Sequence, residues 1–314
     1  MPVPSGGGRW AGESWTHRPP IAVDARAAPA YPPAGPGTML ISRKYVAEIE
    51  LKRDEVESFD RYPFSLAAVR PLSRLEFHPA VTFFVGENGS GKSTLLEAVA
   101  VACGFNAEGG SKNFRFGTRE SHSELHRFLR VSRGLPRPRD GYFFRAESFF
   151  NVASEIEKLG VGPSYSEQSL HEQSHGESFL ALVLNRFRGH GLYLLDEPEA
   201  ALSPKRQLAV LTRIHDLVLE RSQFIIATHS PILMAYPEAI IYQFSAAGIE
   251  RIAYEETDHF RVTRNFLVNP RRTLDILFDG RSDLNRVRRP SRYFADKEEC
   301  PCLTLDTAVA YGGR

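Results

Sequence analysis

Between Val81 and Thr94 the chain passes from a short apolar segment straight into a glycine-rich turn, a combination that few folds admit. Val81-Thr82-Phe83-Phe84-Val85 is β-branched and aromatic, apolar except for Thr82. Such a run is expected of a parallel strand buried on both faces. Gly86-Glu87-Asn88-Gly89-Ser90-Gly91-Lys92-Ser93-Thr94 follows at once and matches the spacing G-x-x-x-x-G-K-[ST] in full. Its glycines let the backbone curl until successive N–H groups point inward at phosphate oxygens. A helix predicted from Lys92 to about Cys103 adds the positive end of its dipole. In this setting Lys92 is expected to reach the β- and γ-phosphates of ATP, and the Ser93 hydroxyl to ligate Mg²⁺. A chance glycine-rich turn is the plainer reading, but Gly-Lys-Ser directly after a buried strand argues against it.

Two later segments supply what such a loop needs. Leu192-Tyr193-Leu194-Leu195 is a second buried strand, and it ends in Asp196 and Glu197. Asp196 at the carboxyl end of that strand suits a Mg²⁺ ligand, and Glu197 suits the polarisation of an attacking water. Taken alone, the acid pair fits the start of a helix equally well. A third strand, Phe224–Ala227, runs into Thr228-His229-Ser230. His229 is placed to reach the γ-phosphate and register its presence; a capping or surface histidine is the alternative. The remaining histidines, His259 among them, carry no such context and are expected to be structural or solvated.

The rest of the chain completes an α/β pattern. Tyr45–Leu51 alternates as a strand does, and Ser65–Phe77 holds a weaker strand pattern. Tyr142–Arg145 reads as a strand and Phe149–Leu159 as a helix. Another helix is expected from Glu177 to about Phe187. Pro204–Arg221 reads as an amphipathic helix with Leu208, Leu211, Ile214, Leu217 and Val218 on its apolar stripe. Ala239–Gln243 and Ile249–Tyr254 are expected to pair as a hairpin, and Phe266–Phe278 to close the fold as a helix. Strands alternating with helices imply a three-layer arrangement around a mainly parallel sheet. Residues 105–140 are polar, basic and broken by Gly and Pro, and read as an inserted arm.

Both ends of the chain lack periodicity. Residues 1–38 are rich in Pro, Gly and Ala and are expected to be a disordered leader. Ordered sequence is expected from Met39, itself a candidate start of translation. From about Gly280 the chain becomes Arg-rich, and 280–314 is expected to be a tail. The formal net charge of +1 gives no bulk attraction to nucleic acid or anionic lipid, although a local basic patch remains open. The 3 cysteines form no disulfide framework and no zinc spacing. No apolar window is long enough for a membrane helix, and the N-terminus does not read as a secretory signal. A cytoplasmic protein with no direct membrane insertion is expected.

Together these residues resemble the ATP-binding-cassette class of P-loop ATPases over roughly 40–278. Within that class they look most like compact, stand-alone ATPases whose domains are labelled AAA-type. Asp196-Glu197-Pro198 matches the acidic strand end of the class. Glu199-Ala200-Ala201-Leu202-Ser203 resembles the loop after it, with Ser203 where an Asp is usual. Ser174-His175-Gly176-Glu177 looks like a degenerate signature motif, and Gly176 lies 20 residues before Asp196. His229 stands 32 residues after Glu197, which suits the switch histidine of the class. Tyr62-Pro63-Phe64 and the run Phe144–Phe150 also fit. The resemblance places the ATPase domain at 39–279, with a helical arm over 105–175 that carries the signature.

The resemblance implies two chains that sandwich two ATP molecules. Ser174, Gly176 and Glu177 of one chain would then face the phosphate held by Lys92 of the other. A plain helix N-cap at Ser174 is the simpler account of that segment. The class usually carries a Gln between the first motif and the signature. Here the strand runs into Arg145-Ala146-Glu147, so either Arg145 or Glu147 stands in its place. Tyr62 and Phe64 are the candidates for an aromatic stacked on adenine. The implied function is hydrolysis of ATP to ADP and phosphate by a dimerising switch acting on a protein or nucleic-acid partner. The alternative is the nucleotide-binding subunit of a transporter.

Overall fold

The computed structural model describes residues 44–112, 123–147, 175–200 and 202–282, with backbone alone for 175–177 and 279–282. The expected leader, the 149–159 helix, Ser174 and most of the expected tail lie outside the described residues.

The chain opens with strands β1 (Val46–Leu51), β2 (Arg74–Glu76) and β3 (Val81–Gly86), followed by helix α1 (Lys92–Ala102). Strands β4 (Gly110–Ser111), β5 (Leu129–Arg133) and β6 (Asp140–Arg145) come next. Helix α2 (His175–Ala181) continues into a π-helical turn at Leu182–Arg186. Strand β7 (Gly191–Asp196), helix α3 (Pro204–Leu219), strand β8 (Gln223–Ala227) and the short helix α4 (Pro231–Met234) follow. The hairpin β9 (Ile240–Ser245) and β10 (Gly248–Ile252) leads to helices α5 (Asp258–Val268) and α6 (Pro270–Ser282).

The main sheet has the order β10-β9-β3-β8-β7-β6-β4. Strands β9, β3, β8, β7 and β6 are mutually parallel, and β10 and β4 run antiparallel at the edges. Parallel neighbours need crossovers, so both faces of the sheet must be covered. Alternation along the strands sorts their side chains accordingly. Phe83, Val85, Tyr193, Leu195, Phe224 and Ile226 pack towards α2 and α3. Phe84, Leu192, Leu194 and Ile225 pack towards α1 and a second, antiparallel sheet of order β2-β1-β5. The expected α/β architecture, three layers about a mainly parallel sheet with antiparallel and helical additions, is the one observed.

Several local expectations are corrected. Residues 129–133 were expected within a polar arm but form β5, because Leu129 and Val131 pack into the core shared with β1. The strand expected over 65–77 reduces to Arg74–Glu76. Leu208 is 55% exposed rather than on the buried stripe of α3. Val210, Ile214 and Leu217 define the buried face, and at 100° per residue Leu208 sits roughly 150° from its centre. The closing helix is two helices. Asn269 leaves the helical region with φ −143° because Pro270 follows it.

One polar side chain joins the two sheets. Gln223 at the start of β8 is fully buried. Its Oε1 accepts from the N–H groups of Tyr45 and Val46, both at 2.9 Å. Its Nε2 donates to the carbonyls of Val46 at 2.8 Å and His78 at 2.9 Å. No apolar residue satisfies those backbone groups. Gln223→Leu is therefore expected to lower unfolding stability by about 2–4 kcal/mol in urea titration, even though it keeps the volume.

Candidate functional site

The carboxyl ends of β3, β7 and β8 meet at one place, and the loops leaving them carry the residues singled out above. Gly86 ends β3 at φ 141°, and a Cβ there would overlap the carbonyl oxygen of Phe244. Gly91 precedes α1 at φ 97°. Neither conformation suits a side chain, so the turn must be glycine at both points. Gly89, Glu87 and Asn88 lie on the exposed rim of the loop.

Lys92, in the first turn of α1, is buried, and its ammonium folds back into the loop. It donates to the carbonyls of Gly86 and Glu87, both at 2.8 Å. Burial lowers its pKa, and the carboxylates of Glu197, Asp196, Glu87 and Glu199 oppose that shift. The Ser93 hydroxyl donates to Asp196 Oδ1 at 2.9 Å, joining the loop to the end of β7. Thr94 lies 3.5 Å from the hydroxyl of the exposed Tyr62. Phe64, the other aromatic candidate, is core, packed edge-on against Phe59 and Phe128.

Asp196 is buried, and burial raises its pKa to about 6 against the hydrogen bond from Ser93 and the charge of Arg145. Arg145 ends β6 beside it in parallel register. Its Nη1 donates to Glu97 Oε2 at 2.5 Å, and its Nε lies 3.9 Å from Asp196 Oδ2. Glu147 is 91% exposed, so Arg145 is the residue of the two that faces the acidic strand end.

Glu197 adopts φ 49°, which costs a non-glycine residue roughly 1–2 kcal/mol and turns the chain sharply out of the strand. Its N–H bonds the Ala227 carbonyl at 2.9 Å, which ties this turn to the end of β8. His229 Nε2 lies 3.6 Å from Glu197 Oε1. Glu199 Oε1 accepts from the His229 backbone N–H. Ser203, where the resemblance expects an Asp, caps α3 by accepting from the Arg206 N–H.

Two partners of His229 were not foreseen. Glu199 entered only as part of a loop, and His259 was expected to be structural or solvated. Instead His259 Nε2 lies 3.0 Å from His229 Nδ1. It sits in the first turn of α5, whose start is set by the Thr257 side chain accepting from the Phe260 N–H. A threonine cap was the only local signal, and nothing in it points 30 residues back along the chain. Gly176 and Glu177 lie in the first turn of α2, where the backbone alone is described.

Several buried polar atoms around the loop have no hydrogen-bond partner: Ser90 Oγ, Arg145 Nε and His229 Nε2. Buried polar atoms are rarely left so without a ligand or water to meet them. Among the described residues no cluster of three or more His, Cys, Asp or Glu could hold a metal by itself. The Ser93 hydroxyl and the Asp196 carboxylate do form an all-oxygen pair of the kind Mg²⁺ takes when phosphates and water complete its shell. No helix among the described residues is long and apolar enough to cross a membrane.

Comparison with known proteins gives partial matches. A family model described as an AAA domain matches residues 64–158. A second AAA-domain model, whose description also names the AbiEii toxin and type IV TA systems, matches 152–235. ABC transporter G family member STR2 from Medicago truncatula is 28% identical over 171 residues, or 48% of this chain. The chain spans only 24% of the length of that relative. Among solved structures, cbiO1 from Clostridium perfringens, described as part of the ABC transporter complex cbiONQ, matches at TM-score 0.41 and 17% identity, over 75% of this chain and 99% of that one. The SMC head domain from Thermotoga maritima matches at TM-score 0.34 and 18% identity, over 66% of this chain and 99% of that one.

The raised pKa of Asp196 has a consequence for stability. Its carboxyl is easier to ionise in the unfolded chain, near the ordinary 3.8, than in the fold, near 6. Burial of the ionised form therefore costs the folded state nothing below pH 3.8, and the cost is complete once pH passes 6. In metal-free buffer, Asp196→Asn is expected to gain on the wild type by about 2 kcal/mol between pH 4 and pH 7, measured by urea unfolding across that window.

Proposed function

We propose that the chain is a P-loop ATPase of the ATP-binding-cassette class, which binds Mg²⁺–ATP in the Gly86–Thr94 loop and hydrolyses it; two AAA-domain family models, over 64–158 and 152–235, support the reading. The observation that carries the reading is the convergence of Lys92, the Ser93–Asp196 hydrogen bond, Glu197 and His229 at the ends of β3, β7 and β8. Ser93 and Asp196 are the residues that would hold Mg²⁺, which when bound neutralises charge on the β- and γ-phosphate oxygens.

The other roles fall to side chains of this chain. The N–H groups of the loop and the Lys92 ammonium bind the phosphates, and the Ser90 hydroxyl gains an acceptor there. Glu197 orients a water and draws on its proton as the water oxygen bonds to the γ-phosphorus. The bond from that phosphorus to the β,γ-bridging oxygen breaks, and ADP leaves with the electron pair. His229 donates through Nε2 to a γ-phosphate oxygen. Tyr62 offers an exposed ring for the adenine. Arg145, held by Glu97, occupies the place where the class usually has a Gln.

We further propose that ATP closes a homodimer, in which the segment Ser174–Glu177 of one chain meets the γ-phosphate held by Lys92 of the other. This part rests on the resemblance of the motif and on its spacing from Asp196. The switch would act on a protein or nucleic-acid partner. A second reading, the nucleotide-binding subunit of a transporter, is favoured by the match to a transporter family member. It requires that a separate chain supply the membrane-spanning part.

Glu197→Gln is expected to lower the ATP turnover rate by about 100-fold or more while ATP binding, followed with a fluorescent analogue, persists. Lys92→Ala is expected to lose the binding itself. Equal, slow hydrolysis by wild type and Glu197→Gln would sink the enzymatic reading. Glu197→Gln is also expected to double its mass in light scattering when ATP and Mg²⁺ are added; a persistent monomer would count against the shared site.

A further inference from the structure

We propose that His259 is a positioning residue for His229, and that its Nε2–H fixes the tautomer in which His229 presents an Nε2–H to the γ-phosphate. The inference rests on the reading of His229 given above and adds a residue to it.

The geometry is one of two imidazoles that share a single proton position. His229 Nδ1 and His259 Nε2 are 3.0 Å apart, so one carries a hydrogen and the other offers a lone pair. Which is which follows from the far side of the His229 ring. His229 Nε2 lies 3.6 Å from Glu197 Oε1. A lone pair there would face a carboxylate, whereas an N–H is attracted to it. The hydrogen of neutral His229 therefore belongs on Nε2, its Nδ1 is the acceptor, and His259 donates.

The surroundings keep both rings in place. The backbone N–H of His229 is held by Glu199 Oε1. His259 stands in the first turn of α5, anchored by the Thr257 cap. Burial lowers the pKa of His259, the charge of Lys92 adds to that effect, and Glu87 and Asp258 oppose it. That favours a neutral His259. His259 Nδ1 is buried with no hydrogen-bond partner, so it has no acceptor to draw the hydrogen away from Nε2. Without this donor the His229 ring is free to place its hydrogen on either nitrogen. A fraction of molecules would then turn a lone pair towards the anionic phosphate.

The test uses the full chain with ¹⁵N-labelled histidine. Long-range ¹H–¹⁵N correlation spectra report which ring nitrogen is protonated, without ATP and without turnover. In wild type His229 is expected as the Nε2–H tautomer. In His259→Phe, which fills the same space but cannot donate, His229 is expected to shift towards the Nδ1–H form. The turnover rate is expected to fall about 10- to 100-fold, with KM within about threefold. His259→Gln, whose amide nitrogen reaches the position of Nε2, is expected to restore both the tautomer and most of the rate. A His229 tautomer unchanged in His259→Phe, or a His259→Gln variant no better than His259→Phe, overturns the inference. Failure of the wider reading looks different: Lys92→Ala would hydrolyse ATP as wild type does, and the tautomer spectra would still decide the role of His259.

Discussion

The buried ammonium of Lys92 is the charge on which the rest of the site depends. A cation removed from water is costly unless polar groups surround it. Here two carbonyls of its own loop accept its protons, and four carboxylates from β7 and the neighbouring loops supply the opposite charge. Those groups reach it only because β3, β7 and β8 are adjacent, parallel and in register, so that their carboxyl ends open on the same side. The parallel order in turn requires helices on both faces. The layered fold and the charged centre are thus one requirement seen at two scales.

Asp196 shows what that arrangement costs. Its carboxylate sits where burial disfavours its ionised form, relieved in part by the Ser93 hydroxyl and by Arg145. Glu197 is held in a backbone conformation that its residue type seldom adopts. Strain of both kinds gathers at sites where a ligand supplies what the protein lacks. The unpartnered atoms of Ser90, Arg145 and His229 mark the same place.

His229 depends on groups from three directions. Glu199 fixes its backbone, Glu197 faces one ring nitrogen and His259 meets the other. A change in any of these elements therefore alters how the ring is held and which nitrogen carries its hydrogen. The charges of Glu87 and Lys92 reach His259 although more than 160 residues separate them along the chain.

Local spacing alone was enough to find the glycine turn between β3 and α1, the acidic strand end and the strand before His229, because each depends on neighbours along the chain: a buried run, a tight turn, a helix start. The same holds for the β9–β10 hairpin and for the α/β class. What the sequence could not reveal were contacts between distant segments of weak local pattern. The strand β5 looked like part of a polar arm because its pairing partner, β1, is some 80 residues away and half its side chains face solvent. Leu208 matched a helical stripe, but only packing against the sheet decides which way a helix is turned. Phe64 and Tyr62 were equal candidates for a stacking aromatic until one proved to be core. His259 had no motif at all. The residues proposed to bind phosphate were therefore written in the sequence, since a glycine turn between a buried strand and a helix recurs at set intervals. Their second partners were decided by the tertiary structure, since only the folded sheet and α5 bring those atoms within hydrogen-bonding distance.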